Sequence, residues 1–207
     1  MKKIMFNDRY GLTKAVLGGW KTRTSRIIHQ KYFHCYKDME RLGTPCLTLE
    51  AWLIERAAPF KVGEVVAVAQ SYGAILAELE DPRNFSCMEH WESKSGDRGK
   101  YAELAMYSPG GGNKMFVCAD EMPHQIRFTN VWVERLQDIS EEDCMKEGIM
   151  EFAPCCECGS ELYAFDGADN FWYTPCEAFS ALIDKVSGKG TWESNPWVFV
   201  YEFELVK

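Results

Sequence analysis

Nine consecutive residues, Gly18-Gly19-Trp20-Lys21-Thr22-Arg23-Thr24-Ser25-Arg26, concentrate three cations, three hydroxyls and an aromatic directly after a double glycine. Such groups can hold a phosphate or carboxylate. A desolvated lysine among cations can also lose its proton and act as a base or nucleophile, with a neighbouring hydroxyl activated or orienting. The surrounding charge is unusual: from Arg9 to Lys37 there are seven Lys/Arg and no Asp or Glu. Residues 1–37 carry nine cations against Asp8 alone, so in a chain of net charge −8 the remainder stands near −16. A basic pole without local acids repels itself unless an anion visits it or distant acids fold onto it. The acidic total disfavours a protein that coats nucleic acid through a broad basic face, but permits a local basic pocket.

The residue types around this stretch define how it must be positioned. Leu12, Val16 and Leu17 recur at helical spacing and stop at Gly18-Gly19, so the reactive stretch begins at a helix end. Thr22, Thr24, Ile27 and Ile28 are β-branched and predict an extended segment. In a regular strand Lys21, Arg23 and Ser25 face one way, and Thr22, Thr24 and Arg26 the other. Lys21 and Thr24 then converge only if the chain bulges or curls there.

Further strands are expected at Lys3–Phe6, at Val65–Gln70, at Lys114–Cys118 and at Trp197–Val206. The continuous small-apolar run of Val65–Gln70 argues burial on both faces. Ile126–Leu136 alternates apolar and polar residues as a half-buried strand does. Ser140-Glu141-Glu142-Asp143 signals a short helix over 141–147 that stops at Gly148. Thr174-Pro175 with Glu177 signals a longer one, ending at Ser187-Gly188. Residues 29–60 suggest one or two short helices, and 71–113 a surface insertion that ends in a mobile Ser108-Pro109-Gly110-Gly111-Gly112 loop. Together these elements predict an α+β fold, a small mixed β-barrel flanked by helices, rather than an alternating βαβ sheet.

The apolar content of 46% suffices for a real core. No apolar run approaches the roughly 20 residues of a membrane span. No apolar region follows Lys2-Lys3, so the chain is expected to be cytoplasmic and without a membrane partner, its nine cysteines reduced. No dinucleotide or P-loop fingerprint is present, and no cofactor is expected. Cys155-x-x-Cys158 with Cys176 is half of a zinc ribbon, but a second Cys-x-x-Cys is missing; a thiol-rich loop without metal is the expectation.

The spacing Gly19-x-Lys21-Thr22-x-Thr24-x-Arg26 resembles the GxKxxTxR signature of the ASCH domain, a branch of the PUA-like superfamily of small β-barrels. Lys61-Val62-Gly63-Glu64-Val65-Val66, Val133–Ser140 with Glu141–Gly148, and the closing Trp197–Glu204 resemble further family segments in the family's order. The likeness covers roughly 1–28, 61–70, 114–149 and 174–207, and is strongest to ASCH proteins of phages and prophages, whose barrel carries long insertions. It implies a single domain over 1–207, with insertions at about 29–60, 71–113 and 150–173. It further implies a cleft that binds RNA or a modified nucleoside or nucleotide. In one branch of the family a Lys, a Thr and a Glu hydrolyse N4-acetylcytidine; matched by motif, these fall on Lys21, Thr24 and Glu147. Beside them, Arg23 and Arg26 are candidate anion ligands, and Trp20 either stacks on a base or packs into the core. His124 and Arg127 are candidate ligand groups at a strand entry. The alternatives are a binding module, an amidohydrolase, or an interaction protein whose insertions cover the cleft.

Overall fold

The computed structural model describes residues 1–43, 47–80, 88–153 and 159–206. In chain order it runs β1 (Lys3–Ile4), α1 (Leu12–Leu17), β2 (Arg23–Ile27), α2 (Gln30–Arg41) and α3 (Leu49–Trp52), which continues into a wider turn at Leu53–Ala57. Next come β3 (Val65–Val68), α4 (Tyr72–Glu80), α5 (Met88–Tyr107), β4 (Gln125–Arg135), α6 (Glu141–Lys146), β5 (Met150–Phe152) and β6 (Leu162–Ala164). The last elements are α7 (Pro175–Ser187), α8 (Thr191–Ser194) and β7 (Trp197–Leu205). The fold is mixed α+β. Five strands form one mixed sheet in the order β1-β3-β4-β7-β2, with β1–β3 parallel and β2–β7 antiparallel, and β5–β6 form a separate pair. The expected closed barrel is not seen among the described residues: the sheet is open, with β1 and β2 at its edges.

The chain falls into two compact units. The first comprises residues 1–6, 65–126 and 206–207. Its core is Ala67, Ala69, Tyr72, Ile75, Val117 and Met122, against which Leu79, Tyr101 and Leu104 pack. Val66, Ala67 and Val68 are fully buried, as expected of a strand covered on both faces. Two expectations are corrected here. Residues 114–118 are not a strand but a 3₁₀ turn, Lys114–Phe116, capped by Asn113. The Lys3 ammonium donates to the carbonyls of Lys114, Met115 and Val117 at 2.8–3.1 Å. A strand sends successive carbonyls in opposite directions and cannot aim three of them at one ammonium. The glycine loop, expected at the surface, is instead packed into the unit at Gly110 and Gly111. Gly110 and Gly111 are buried and accept the amides of Tyr72 and Gly73 at 2.9 Å, and the Tyr72 ring lies where a Gly110 side chain would be.

The second unit comprises residues 7–64 and 127–205. Phe60 stacks on Phe128 at 4.9 Å, and Tyr201 and Phe203 meet Phe128 at 5.2 and 6.4 Å, which forms an aromatic centre. A second group joins Tyr10, Phe165 and Trp172. α7 is built as its sequence predicts: the Thr174 hydroxyl accepts the Glu177 amide at 3.2 Å, Pro175 opens the helix, and Ala178, Phe179 and Leu182 are buried. Among the described residues no helix is long and apolar enough to cross a membrane.

Thr174→Ala removes the hydroxyl that accepts the Glu177 amide at the start of α7. It is expected to cost about 1 kcal/mol, seen as a midpoint lowered by roughly 2–4 °C in thermal unfolding.

Candidate functional site

Backbone geometry delivers Lys21 to its place. α1 ends at Gly18, and Gly19 takes a φ of +80°, reversing the chain so that the amides of Trp20 and Lys21 both donate to the Ala15 carbonyl at 3.2 and 3.1 Å. The Trp20 ring folds back over Gly18, so closely that a β-carbon there would lie 1.8 Å from it. Trp20 stays 43% exposed, which removes it from the core and leaves an aromatic face in solvent. The Thr22 amide then donates to the Lys146 carbonyl at 3.0 Å, and its carbonyl accepts Phe203 at 2.9 Å. This fastens the segment between the end of α6 and β7. β2 is regular from Arg23, with Thr24 opposite Tyr201 and Ser25 opposite Val200.

Glu147 arrives from the other side as the C-cap of α6. The turn is completed by Gly148 at φ +104°, a backbone that side chains rarely adopt; a β-carbon there would crowd Leu12 at 3.3 Å and meet the Lys21 stem at an ordinary contact distance of 3.6 Å. Lys21 Nζ donates to Glu147 Oε2 and to the Glu147 carbonyl, both at 2.6 Å, and Ser25 Oγ donates to Glu147 Oε1 at 2.6 Å. Lys21 is 2% exposed and Glu147 4%.

A second cluster lies alongside. The buried Arg23 guanidinium pairs with Glu134 of β4 and with Asp143 of α6, the latter at 2.7 Å, and stands over the Trp132 ring at 5.1 Å. Trp132 Nε1 donates to the other Glu134 oxygen at 2.6 Å. Arg26 lies within electrostatic reach of Glu147 and Tyr201. The basic residues of the opening stretch are thus met by acids brought from residues 134–147.

Burial lowers the pKa of Lys21 from its ordinary 10.5; the charge and hydrogen bond of Glu147 oppose this, and Arg26 and Arg23 add to the lowering. Burial pushes Asp143 up, but its bonds to Lys146 and Ser140 and the Arg23 charge outweigh that and hold it below its usual value. The Tyr201 hydroxyl is pushed up by burial.

The structure brings Lys21 and Glu147 together, as the motif matching expects, and sets Arg23 and Arg26 beside them. Thr24 is buried, but no hydrogen bond joins it to Lys21 or Glu147 among the described residues. The strand alternation places Ser25 on the face that Glu147 occupies, so the hydroxyl at the pair belongs to Ser25. His124, in the first unit, bonds to Glu78, which also accepts from Gln70 at 3.0 Å. Arg127 is exposed and pairs with Glu204 at 3.0 Å. Among the described residues no hydrogen bond or ion pair joins Arg127 to Lys21, Arg23 or Glu147. Ser25, Glu134 and Asp143 are the participants that sequence reasoning missed. The pairing of Ser25 with Lys21 by strand alternation was available as a signal, whereas nothing local distinguishes Glu134 or Asp143 from a solvated acid. Cys155 and Cys158 lie outside the described residues; Cys176 Sγ sits 3.5 Å from Cys144 Sγ. Among the described residues no group of three His, Cys, Asp or Glu could hold a metal ion.

Glu147→Gln leaves the Lys21 ammonium buried without its countercharge, and is expected to destabilise the fold by about 3–5 kcal/mol near neutral pH. With Glu147 gone, the native pKa of Lys21 falls further below 10.5, while the unfolded chain keeps the ordinary value. The unfolded state then binds more protons across that window, so stability rises with pH there. Urea unfolding at pH 7 and pH 9.5 checks this: the deficit of the variant shrinks at the higher pH, and a pH-independent deficit contradicts the reading.

No family model, no curated protein and no solved structure matches this chain.

Proposed function

We propose that this protein binds a modified nucleoside at the Lys21–Glu147 pair and hydrolyses its N-acyl amide, in the manner its resemblance to ASCH-domain proteins implies. The observation that carries the reading is the buried contact at 2.6 Å between a lysine and a glutamate held on separate elements, with a serine hydroxyl on the same carboxylate.

The chemistry follows from that contact. A low-dielectric setting disfavours separated charges, so moving the shared proton from Nζ to the carboxylate gives a neutral amine and a carboxylic acid without changing the net charge. The amine removes a proton from water as its oxygen adds to the acyl carbon. The carboxylic acid protonates the leaving nitrogen as the C–N bond breaks, giving a free carboxylic acid and the deacylated base. Lys21 ends as ammonium and Glu147 as carboxylate, which is the resting pair. Arg26 sets the local potential, Ser25 fixes the carboxylate orientation, and the half-exposed Trp20 ring supplies a face for a base.

Recognition without turnover is a second reading, favoured by one observation: Lys21 and Arg23 are already matched to carboxylates, so a ligand can be read by the assembly with no bond broken. The matching also weighs against polyanion binding at these two residues.

Incubation with N4-acetylcytidine is expected to release cytidine and acetate. Lys21→Met is expected to lower the rate by at least a hundredfold, the usual scale for a lost acid–base group. Activity is expected to decline on the alkaline side below pH 10.5, because removing the pair's proton leaves none for the departing nitrogen. Binding of N4-acetylcytidine without release of acetate selects the second reading; absence of both binding and turnover overturns both.

A further inference from the structure

The second unit holds a cavity of about 550 Å³ that the chemistry above does not use. It lies beside the end of β2: Ile28 lines it, and the Ile28 amide donates to the Trp197 carbonyl at 2.9 Å. One wall is α2, which presents Phe33, His34 and Lys37; positions 33, 34 and 37 share a helix face by their spacing. The Arg135–Trp197 pair also lines the cavity, with the guanidinium 4.6 Å from the ring centroid. Arg135 is held by the Asn195 carbonyl at 3.0 Å. Ile28 stands seven residues beyond Lys21, roughly 20 Å along an extended chain.

The electrostatics of the two places differ in kind. Lys21 and Arg23 are each neutralised by buried or half-buried carboxylates. No Asp or Glu lines the cavity, and neither Lys37 nor Arg135 forms an ion pair among the described residues. The cavity therefore combines two cations that form no ion pair among the described residues with two aromatic side chains, Phe33 and Trp197. Its volume lies within the range of small-ligand sites, roughly 300–1,000 Å³.

We infer that this cavity is a nucleotide site, in which a base stacks against Trp197 or Phe33 and its phosphate is held by Lys37 and Arg135. A planar π-system answers the rings, and a compact, doubly charged anion answers a guanidinium and an ammonium that no acid satisfies. The ligand unit can come as a free nucleoside monophosphate or as the phosphorylated end of a strand. The inference stands on residues separate from the Lys21 site and does not depend on turnover there.

The test titrates the purified full chain by calorimetry with each of the four nucleoside 5′-monophosphates, the matching nucleosides and inorganic phosphate. At least one monophosphate is expected to bind tenfold or more tightly than its nucleoside and than phosphate alone, and to weaken as salt is raised. Lys37→Gln and Arg135→Gln, with unchanged circular dichroism, are each expected to weaken that binding about tenfold. A 5′-phosphorylated tetranucleotide separates the sources: tighter binding than the monophosphate assigns the site to a strand end, equal binding to the free nucleotide. Absence of monophosphate binding, equal affinity for nucleoside and nucleotide, or indifference to both substitutions overturns the inference. Loss of N4-acetylcytidine turnover has no bearing on it.

Discussion

A lysine ammonium and a glutamate carboxylate removed from water is the constraint around which the second unit is arranged. Each ion alone is expensive to bury, so neither Lys21 nor Glu147 can take its position before the other is in place. That requirement links segments far apart in the chain: the reversal after α1, the first residues before β2 and the end of α6. The backbone bond from Thr22 to Lys146 and the Ser25 hydroxyl on Glu147 secure the same junction from either side. Arg23, fixed by Glu134 and Asp143, repeats the principle one step along β2.

The apparent basic pole is thus two different things. Counted along the sequence, the cations from Arg9 to Lys37 form one block. In three dimensions the cations at 21 and 23 are interior groups with dedicated partners, while Lys37 stands with Arg135 at a cavity that lacks acids. Net charge along a window records neither distinction, because the neutralising residues arrive from more than a hundred positions away.

Elements governed by local rules were legible: the cap and proline that open α7, the short α6 with its terminal glycine, the buried run of β3, and the closing strand. The pairing of Lys21 with Glu147 came from motif resemblance, and the hydroxyl between them was assigned to Thr24 although strand alternation favours Ser25. Residues 114–118 misled because Met115, Phe116 and Val117 have strand composition, whereas their conformation is set by the distant ammonium of Lys3. The alternation in β4 holds through Phe128 and then slips, with Thr129 and Asn130 both exposed; Asn130 turns its side-chain oxygen onto the amide of Val131. Such choices depend on tertiary partners that no local pattern records.

Gly148 carries an implication for how related chains can vary. Its positive φ disfavours any other residue, and it sits in the turn that follows Glu147, the partner of Lys21. The demand for glycine is set by the backbone at 148 and not by the lysine at 21, so a chain that gives up the lysine keeps the glycine for as long as it keeps this turn. The joint presence of lysine at 21 and glutamate at 147 is the mark by which this buried pair would be traced through divergent sequences, with the glycine after it marking the turn alone.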